Sequence, residues 1–395
     1  MRNRSLVAAL TASVVIALGT AASAADEPEL GEPTTFTLGP PVERSFGGWT
    51  EVARAADTGW LGQVSIVDGT LVSYGPPFAP GGESDVGDVT WYSRDGTTWT
   101  GLPLVGETPQ VTDMTARPDG SMAIAVGYTL PRGGGDRGPA GAVWTTTDGV
   151  EWNAAAAPPV PEVDAVAASD QIVAVAAGGR LWTTTDLQDW TRVKGPRPVG
   201  IAYGPGGFLT SEGGGQDRLS ATAVWHSADG ADWTKVKLPK PIRKAKVGVS
   251  TLPLDETWVL LPDAPKLMYI SADGQRWRKA PRPPGMTQGY VWWMVDVGEG
   301  VQAVGWLPDR KRQPNGLWTF VPGESVDKAK TISGGFVGHV VAWDGETIGY
   351  GRMRGEGDAW ITHMWRWDPE PAVTTGDASE APQGESPAPD ATDIS

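Results

Sequence analysis

One short phrase recurs along this chain and limits what it can fold into. "SRDGTTW" begins at Ser93, "TTDGVEW" at Thr146, "TTDLQDW" at Thr184, "SADGADW" at Ser227 and "SADGQRW" at Ser271. An aromatic residue stands two positions ahead of each copy: Trp91, Trp144, Trp182, Trp225 and Tyr269. Weaker copies follow at Trp318 and Trp365, and the successive spacings are 53, 38, 43, 44, 49 and 47 residues. Self-similarity at such a period marks a repeat architecture in which one supersecondary unit stacks on the next.

Each repeat reads as short strands. An apolar run such as "SMAIAVGY" (121–128) or "QIVAVAAG" (171–178) precedes the phrase, with a turn such as "RPDG" (117–120) before the run. A short strand such as "WTRV" (190–193) follows it. Four strands divided by Gly, Asp and Pro turns make one antiparallel blade, and a period of roughly 40–50 residues is that of a β-propeller. The expected fold is all-β: a seven-bladed β-propeller of four-stranded antiparallel blades. The last repeat, about 334–367, has three strands, and "SFGGWTEV" (45–52) resembles the tail of a repeat with nothing ahead of it. A strand at about 45–52 is therefore expected to complete the last blade and close the ring, which removes open sheet edges.

The phrase suits a tight hairpin between third and fourth strands. A short Asp or Ser side chain accepts hydrogen bonds from the amides of its own turn, and glycine supplies positive φ. Asp95, Asp148, Asp186, Asp229 and Asp273 are expected to hold the turns, with Trp99, Trp152, Trp190, Trp233 and Trp277 buried beneath them. One carboxylate per turn does not make a metal site, since a hard cation needs several oxygen ligands, so no metal or other cofactor is expected. The phrase resembles the Asp-box, or BNR repeat, of the sialidase superfamily and of other propellers. Here Asp and Gly are adjacent, one residue closer than in that family, and Leu187 replaces Gly in the third copy. The resemblance spans about residues 45–367 and implies a structural role for the boxes, on the rim opposite the functional face. It extends to photosystem II assembly-factor-like propellers, which act by interaction rather than catalysis.

The rest of the chain bounds where such a fold works. Arg2 and Arg4 precede an apolar run that ends in Ala22-Ser23-Ala24, the layout of a secretory signal peptide over 1–24. Residues 25–43 read as an N-terminal extension, 44–368 as the propeller, and 369–395, without Lys or Arg, as a disordered acidic tail. The expected location is extracellular, as a monomer with no membrane span in the mature protein. With no cysteine, an exported domain relies on its apolar core. A net charge of −15 argues against a nucleic-acid partner, which needs a basic surface.

Two functions stay open. Sialidases carry an Arg-Ile-Pro motif, a carboxylate-gripping arginine triad and six blades. This chain lacks the motif; "TARPDG" at Arg117 and "GPRPVG" at Arg197 are its nearest echoes. No Gly-x-Ser-x-Gly nucleophile elbow is present, and His226, His339 and His363 are scattered. The long connections expected between second and third strands carry Arg132, Arg137, Arg218, Arg310, Arg312, Arg352 and Arg354. Guanidinium forks suit carboxylates, sulfates and phosphates. A second basic stretch runs from Lys235 to Arg282, with eleven basic and four acidic residues. The first expectation is an exported binding or scaffolding module for an anionic polysaccharide of the cell envelope or an unknown protein partner. The alternative is a glycoside hydrolase.

Overall fold

The computed structural model describes residues 33–41, 45–46, 48–56, 61–76, 87–131, 138–213, 221–240, 249–254, 256–262, 268–283, 291–296, 301–306, 315–322, 330–331, 337–354 and 360–368. The signal segment and the acidic tail expected from the sequence lie outside these residues. Among the described residues no helix is long and apolar enough to cross a membrane.

Three strands precede the repeats: β1 (Thr34–Thr37), β2 (Ser45–Phe46) and β3 (Trp49–Ala56). Blade 1 holds β4 (Ser65–Val67), β5 (Thr70–Gly75), β6 (Val89–Ser93) and β7 (Thr98–Pro103). Blade 2 holds β8 (Pro109–Ala116), β9 (Ala123–Thr129), β10 (Ala140–Thr146) and β11 (Asn153–Ala155). Blade 3 holds β12 (Val163–Ala168), β13 (Val173–Ala177), β14 (Arg180–Thr184) and β15 (Thr191–Arg192). Blade 4 holds β16 (Pro198–Gly204), β17 (Gly207–Gly213), β18 (Ala221–Ser227) and β19 (Thr234–Lys235). Blade 5 holds β20 (Val249–Pro253), β21 (Trp258–Pro262), β22 (Met268–Ser271) and β23 (Arg278–Ala280). Blade 6 holds β24 (Val291–Asp296), β25 (Val301–Trp306), β26 (Asn315–Phe320) and β27 (Lys330–Thr331). The chain then forms β28 (His339–Trp343), β29 (Glu346–Arg354) and β30 (Trp360–Trp367).

The expectation of seven equivalent four-stranded blades shut by residues 45–52 is corrected by these pairings. Among the described residues there are six blades, not seven, each built on four consecutive strands, and the remaining sheet is a five-stranded composite in the order β2-β3-β30-β29-β28. Its closing strand runs over 49–56 rather than 45–52. Gly48, at φ +90°, turns Ser45–Phe46 back on Trp49–Thr50 as a separate hairpin strand. A bulge between Glu51 and Ala53 then lets β3 follow β30 to the Ala56–Ile361 pair. Blade 1 also departs from four strands. Residues 34–37, within the expected N-terminal extension, add β1 to its outer edge, and Phe36 meets Trp91 edge-on at 5.1 Å.

First-to-second hairpins turn on sequences that tolerate positive φ. Asp68-Gly69 (45° and 73°) and Asp344-Gly345 (50° and 77°) occupy the two central positions of such turns, the pattern that matches strand twist. The core is distributed over the seams between sheets. Separate apolar clusters join the composite sheet to blade 1, and each of blades 1 to 5 to its successor. The aromatics ahead of the boxes supply much of this. Trp91, Trp144, Tyr269, Trp318 and Trp365 are buried, whereas Trp182 and Trp225 are half-buried. Each fully buried ring removes about 150–250 Å² from water.

Besides the backbone ladder, a side-chain contact joins the two ends of the folded region within the composite sheet. Glu51 Oε1 on β3 accepts a short hydrogen bond from His363 Nδ1 on β30, with side chains 0% and 1% exposed. The imidazole also stacks on Trp365, with ring centroids 5.5 Å apart.

Every box forms the same turn. Asp95 Oδ1 accepts from the Ser93 hydroxyl (3.2 Å) and the Thr97 and Thr98 amides (2.8 and 2.6 Å). Asp148, Asp186, Asp229 and Asp273 repeat these three bonds. At Asp186 and Asp229 the turn amides hold the carboxyl below the usual range. At Asp95, Asp148 and Asp273 partial burial pushes it up, and the same donors together outweigh that. Trp99, Trp233 and Trp277 donate from the indole to the carbonyl of the box glycine at 3.2, 2.8 and 3.1 Å. Trp99, Trp152 and Trp233 are buried, whereas Trp190 and Trp277 are half-buried. Trp190 reaches across to Ala156 O on the connection leaving blade 2.

Each box apex also presses on the preceding sheet, a contact that sequence reasoning missed. A Cβ at Gly149 of blade 2 would stand 2.8 Å from Thr70 Cγ2 and 2.9 Å from Val72 Cγ1 of blade 1. One at Gly274 of blade 5 would stand 3.0 Å from His226 of blade 4. Tyr350 of the composite sheet donates to Gly96 O at 3.0 Å. In the third copy Leu187 keeps the turn at φ +60° and sinks its side chain into the cluster containing Ile124 of blade 2.

Candidate functional site

Strand register separates two ends of every sheet. The boxes follow Ser93, Thr146, Thr184, Ser227 and Ser271, which pair with the start of the second strand at Leu71, Ala123, Val173, Phe208 and Trp258. The connections from second to third strand leave from the other end, between Gly75 and Val89, Thr129 and Ala140, Gly213 and Ala221, Trp306 and Asn315, and Arg354 and Trp360. Of the seven arginines expected on these connections, Arg132, Arg137, Arg218, Arg310 and Arg312 lie outside the described residues. Arg352 and Arg354 stand on β29, paired in backbone register with Thr362 and Trp360.

Toward that end, between blades 1, 2 and 3, two carboxyls, Asp88 and Asp113, are taken up by backbone amides. Asp88 closes the β5–β6 connection: its amide donates to Pro109 O and its Oδ2 accepts from Val111 N, both at 2.7 Å. Burial pushes its carboxyl up against that bond. β8 bulges between Val111 and Asp113. The bulged Thr112 donates to Val163 O of blade 3 at 2.5 Å. Asp113 accepts from Met114 N and from Val166 N of blade 3, each at 2.9 Å, so it stitches two innermost strands together. Burial lifts its carboxyl to about 6, against the amide bonds that lower it. The Tyr74 hydroxyl points at Thr112 O from 3.5 Å. Its pKa is pushed up by burial and then by Asp113 and Asp88. On the composite sheet, burial pulls the imidazole of His339, first residue of β28, down to about 4.

Sequence reasoning missed the roles of Asp113 and Asp88. The available signal was an acid in the middle of an alternating strand, in "VTDMTA" (111–116). His226 on β18 and His363 on β30, third strands of their sheets, are buried. Among the described residues no three His, Cys, Asp or Glu side chains gather as a metal site.

These two titrations have opposite signs. Folding lifts Asp113 from 3.8 to about 6, so the folded state binds the extra proton in that window and gains stability as pH falls through it. Folding lowers His339 from 6.5 to about 4, so the unfolded state binds the extra proton and stability falls with pH over nearly the same span. Each amounts to on the order of 3 kcal/mol, and they largely cancel. Urea unfolding of Asp113→Asn at pH 7 and 4.5 is expected to show a loss on acidification of that order. His339→Gln is expected to show a gain. Identical pH profiles for both variants and the parent would contradict the assignment.

No family model and no curated protein matches the chain. Solved structures do. Virginiamycin B lyase from Staphylococcus aureus aligns with 84% of this chain and 98% of its own at 12% identity, TM-score 0.52. A catalytically inactive variant of that lyase with quinupristin aligns over 84% and 99%, at 13% identity and TM-score 0.50. Trypanosoma rangeli sialidase with sialic acid aligns over 85% of this chain but 59% of the sialidase, at 13% identity and TM-score 0.39. At such identities the likeness is one of fold alone: the chain is a β-propeller.

Proposed function

We propose that this chain is an exported binding or scaffolding propeller that recognises an anionic ligand, a cell-envelope polysaccharide or a protein partner, at the end of its strands opposite the boxes. The reading is carried by the strand registers. The boxes consume their own carboxylates in turns at one end, and the arginine-bearing connections of blades 2, 4 and 6 start from the other, where β29 of the composite sheet ends at Arg354. Positively charged forks on long connections over a rigid scaffold suit carboxylate, sulfate or phosphate groups. The test is a panel of anionic and neutral polysaccharides, scored for both retention and product release. The quadruple variant Arg310→Gln, Arg312→Gln, Arg352→Gln, Arg354→Gln is expected to bind about tenfold or more weakly. Release of shortened product would replace this reading with a glycoside hydrolase, and unchanged retention by the variant would move the site elsewhere.

A further inference from the structure

The residue facing the third-strand aromatic across the outer ladder differs systematically between blades. Trp91 faces Gly101 and Trp144 faces Ala154, small residues over fully buried indoles. Trp182 faces Arg192, Trp225 faces Lys235 and Tyr269 faces Lys279. All three cations are exposed, and the first two aromatics are half-buried rather than covered. Lys235 Nζ stands 5.7 Å from the Trp225 ring centroid, a cation–π distance. The Trp225 indole is also held by Glu212, which accepts from Nε1 at 3.0 Å.

Charge around these pairs is one-sided. Lys194 and Arg197 follow Arg192, Lys237 and Lys240 follow Lys235, and Arg278 precedes Lys279, all exposed. No acidic residue occurs in 190–197, 233–248 or 277–290. Arg276, next to this band, reaches Asp273 only at 3.8 Å. Solvated charge on a chain of net −15 has no need to repeat at one register position in three successive blades.

We infer that the outer edges of blades 3 to 5 form a second binding surface, for an anionic polysaccharide laid across the rim. Sugar rings pack their C–H faces on the partly exposed Trp182 and Trp225, while carboxylate or sulfate groups meet Arg192, Lys235 and Lys279. The surface recurs once per blade, which matches a polymer whose charges also recur and is more than a single small anion requires. It is separate from the arginine-bearing end, so the two readings fail separately.

The full chain is passed over immobilised polygalacturonate, dextran sulfate, neutral dextran and polyglutamate at low and high salt. Salt-sensitive retention on the anionic polysaccharides is expected, with little on dextran or polyglutamate. Arg192→Gln, Lys235→Gln, Lys279→Gln together should weaken it about tenfold. Restoring charge with Lys235→Arg in an otherwise native chain should keep binding, and unchanged urea midpoints would show all these variants folded. Equal retention on polyglutamate would assign the surface to an acidic polypeptide and overturn the inference. So would full binding by the triple variant, or loss confined to the loop-arginine quadruple variant.

Discussion

Glu51→Ala is expected to cost about 3–5 kcal/mol of unfolding free energy, the penalty for stranding one member of a buried polar pair. Both side chains are within 1% of full burial, and the contact joins strands 312 residues apart in sequence. Without its carboxylate, His363 Nδ1 loses the bond that spans β3 and β30. His363→Ala should cost a comparable amount, and the double variant much less than the sum, because each single change already forfeits the shared bond. Glu51→Gln retains an acceptor and should fall between parent and alanine variant. Replacing both residues by apolar side chains, Glu51→Met with His363→Leu, should recover most of the loss. Urea midpoints of the five variants make the cycle. Additive single costs would show that the two side chains act independently.

This clasp shows where the sequence can and cannot be read. "GGWTEV" announced that a strand near 50 completes the last sheet, because Trp49 and Thr50 copy the residues that follow a box. Its length was not apparent, since the bulge between Glu51 and Ala53 answers to β30, more than 300 residues away. β1 was missed for a similar reason. "TTFT" carries one apolar residue, and its place on the edge of blade 1 depends on Phe36 finding Trp91. Local patterns specified turns well, because an Asp side chain bonding to amides two and three residues on is a property of the turn itself. Contacts between sheets were illegible, Asp113 with Val166 among them. Such pairs depend on how separate repeats stack. Strand order alone leads to the expectation that the loop arginines share one end, and their mutual geometry follows from no repeat.

Gly149→Ala is expected to destabilise the protein by about 2–4 kcal/mol, well beyond the ordinary effect of adding a methyl group to a surface turn. Two costs add. At φ +77° an L side chain is strained, and the new Cβ would lie within 2.9 Å of Thr70 and Val72, side chains of the neighbouring blade. The natural third copy supplies the control. Leu187 tolerates φ +60° because its side chain is 7% exposed within the seam between blades 2 and 3. Leu187→Gly relieves about 1 kcal/mol of backbone strain but empties that seam, and a net loss of about 1–3 kcal/mol is expected. One turn position should therefore demand glycine in blade 2 and leucine in blade 3. Calorimetric or urea unfolding of both variants decides the matter. A near-neutral Gly149→Ala would reduce the boxes to hairpin turns confined to their own sheets. A loss in both would establish that each box apex keys its blade to the one before it, so that the propeller is held seam by seam.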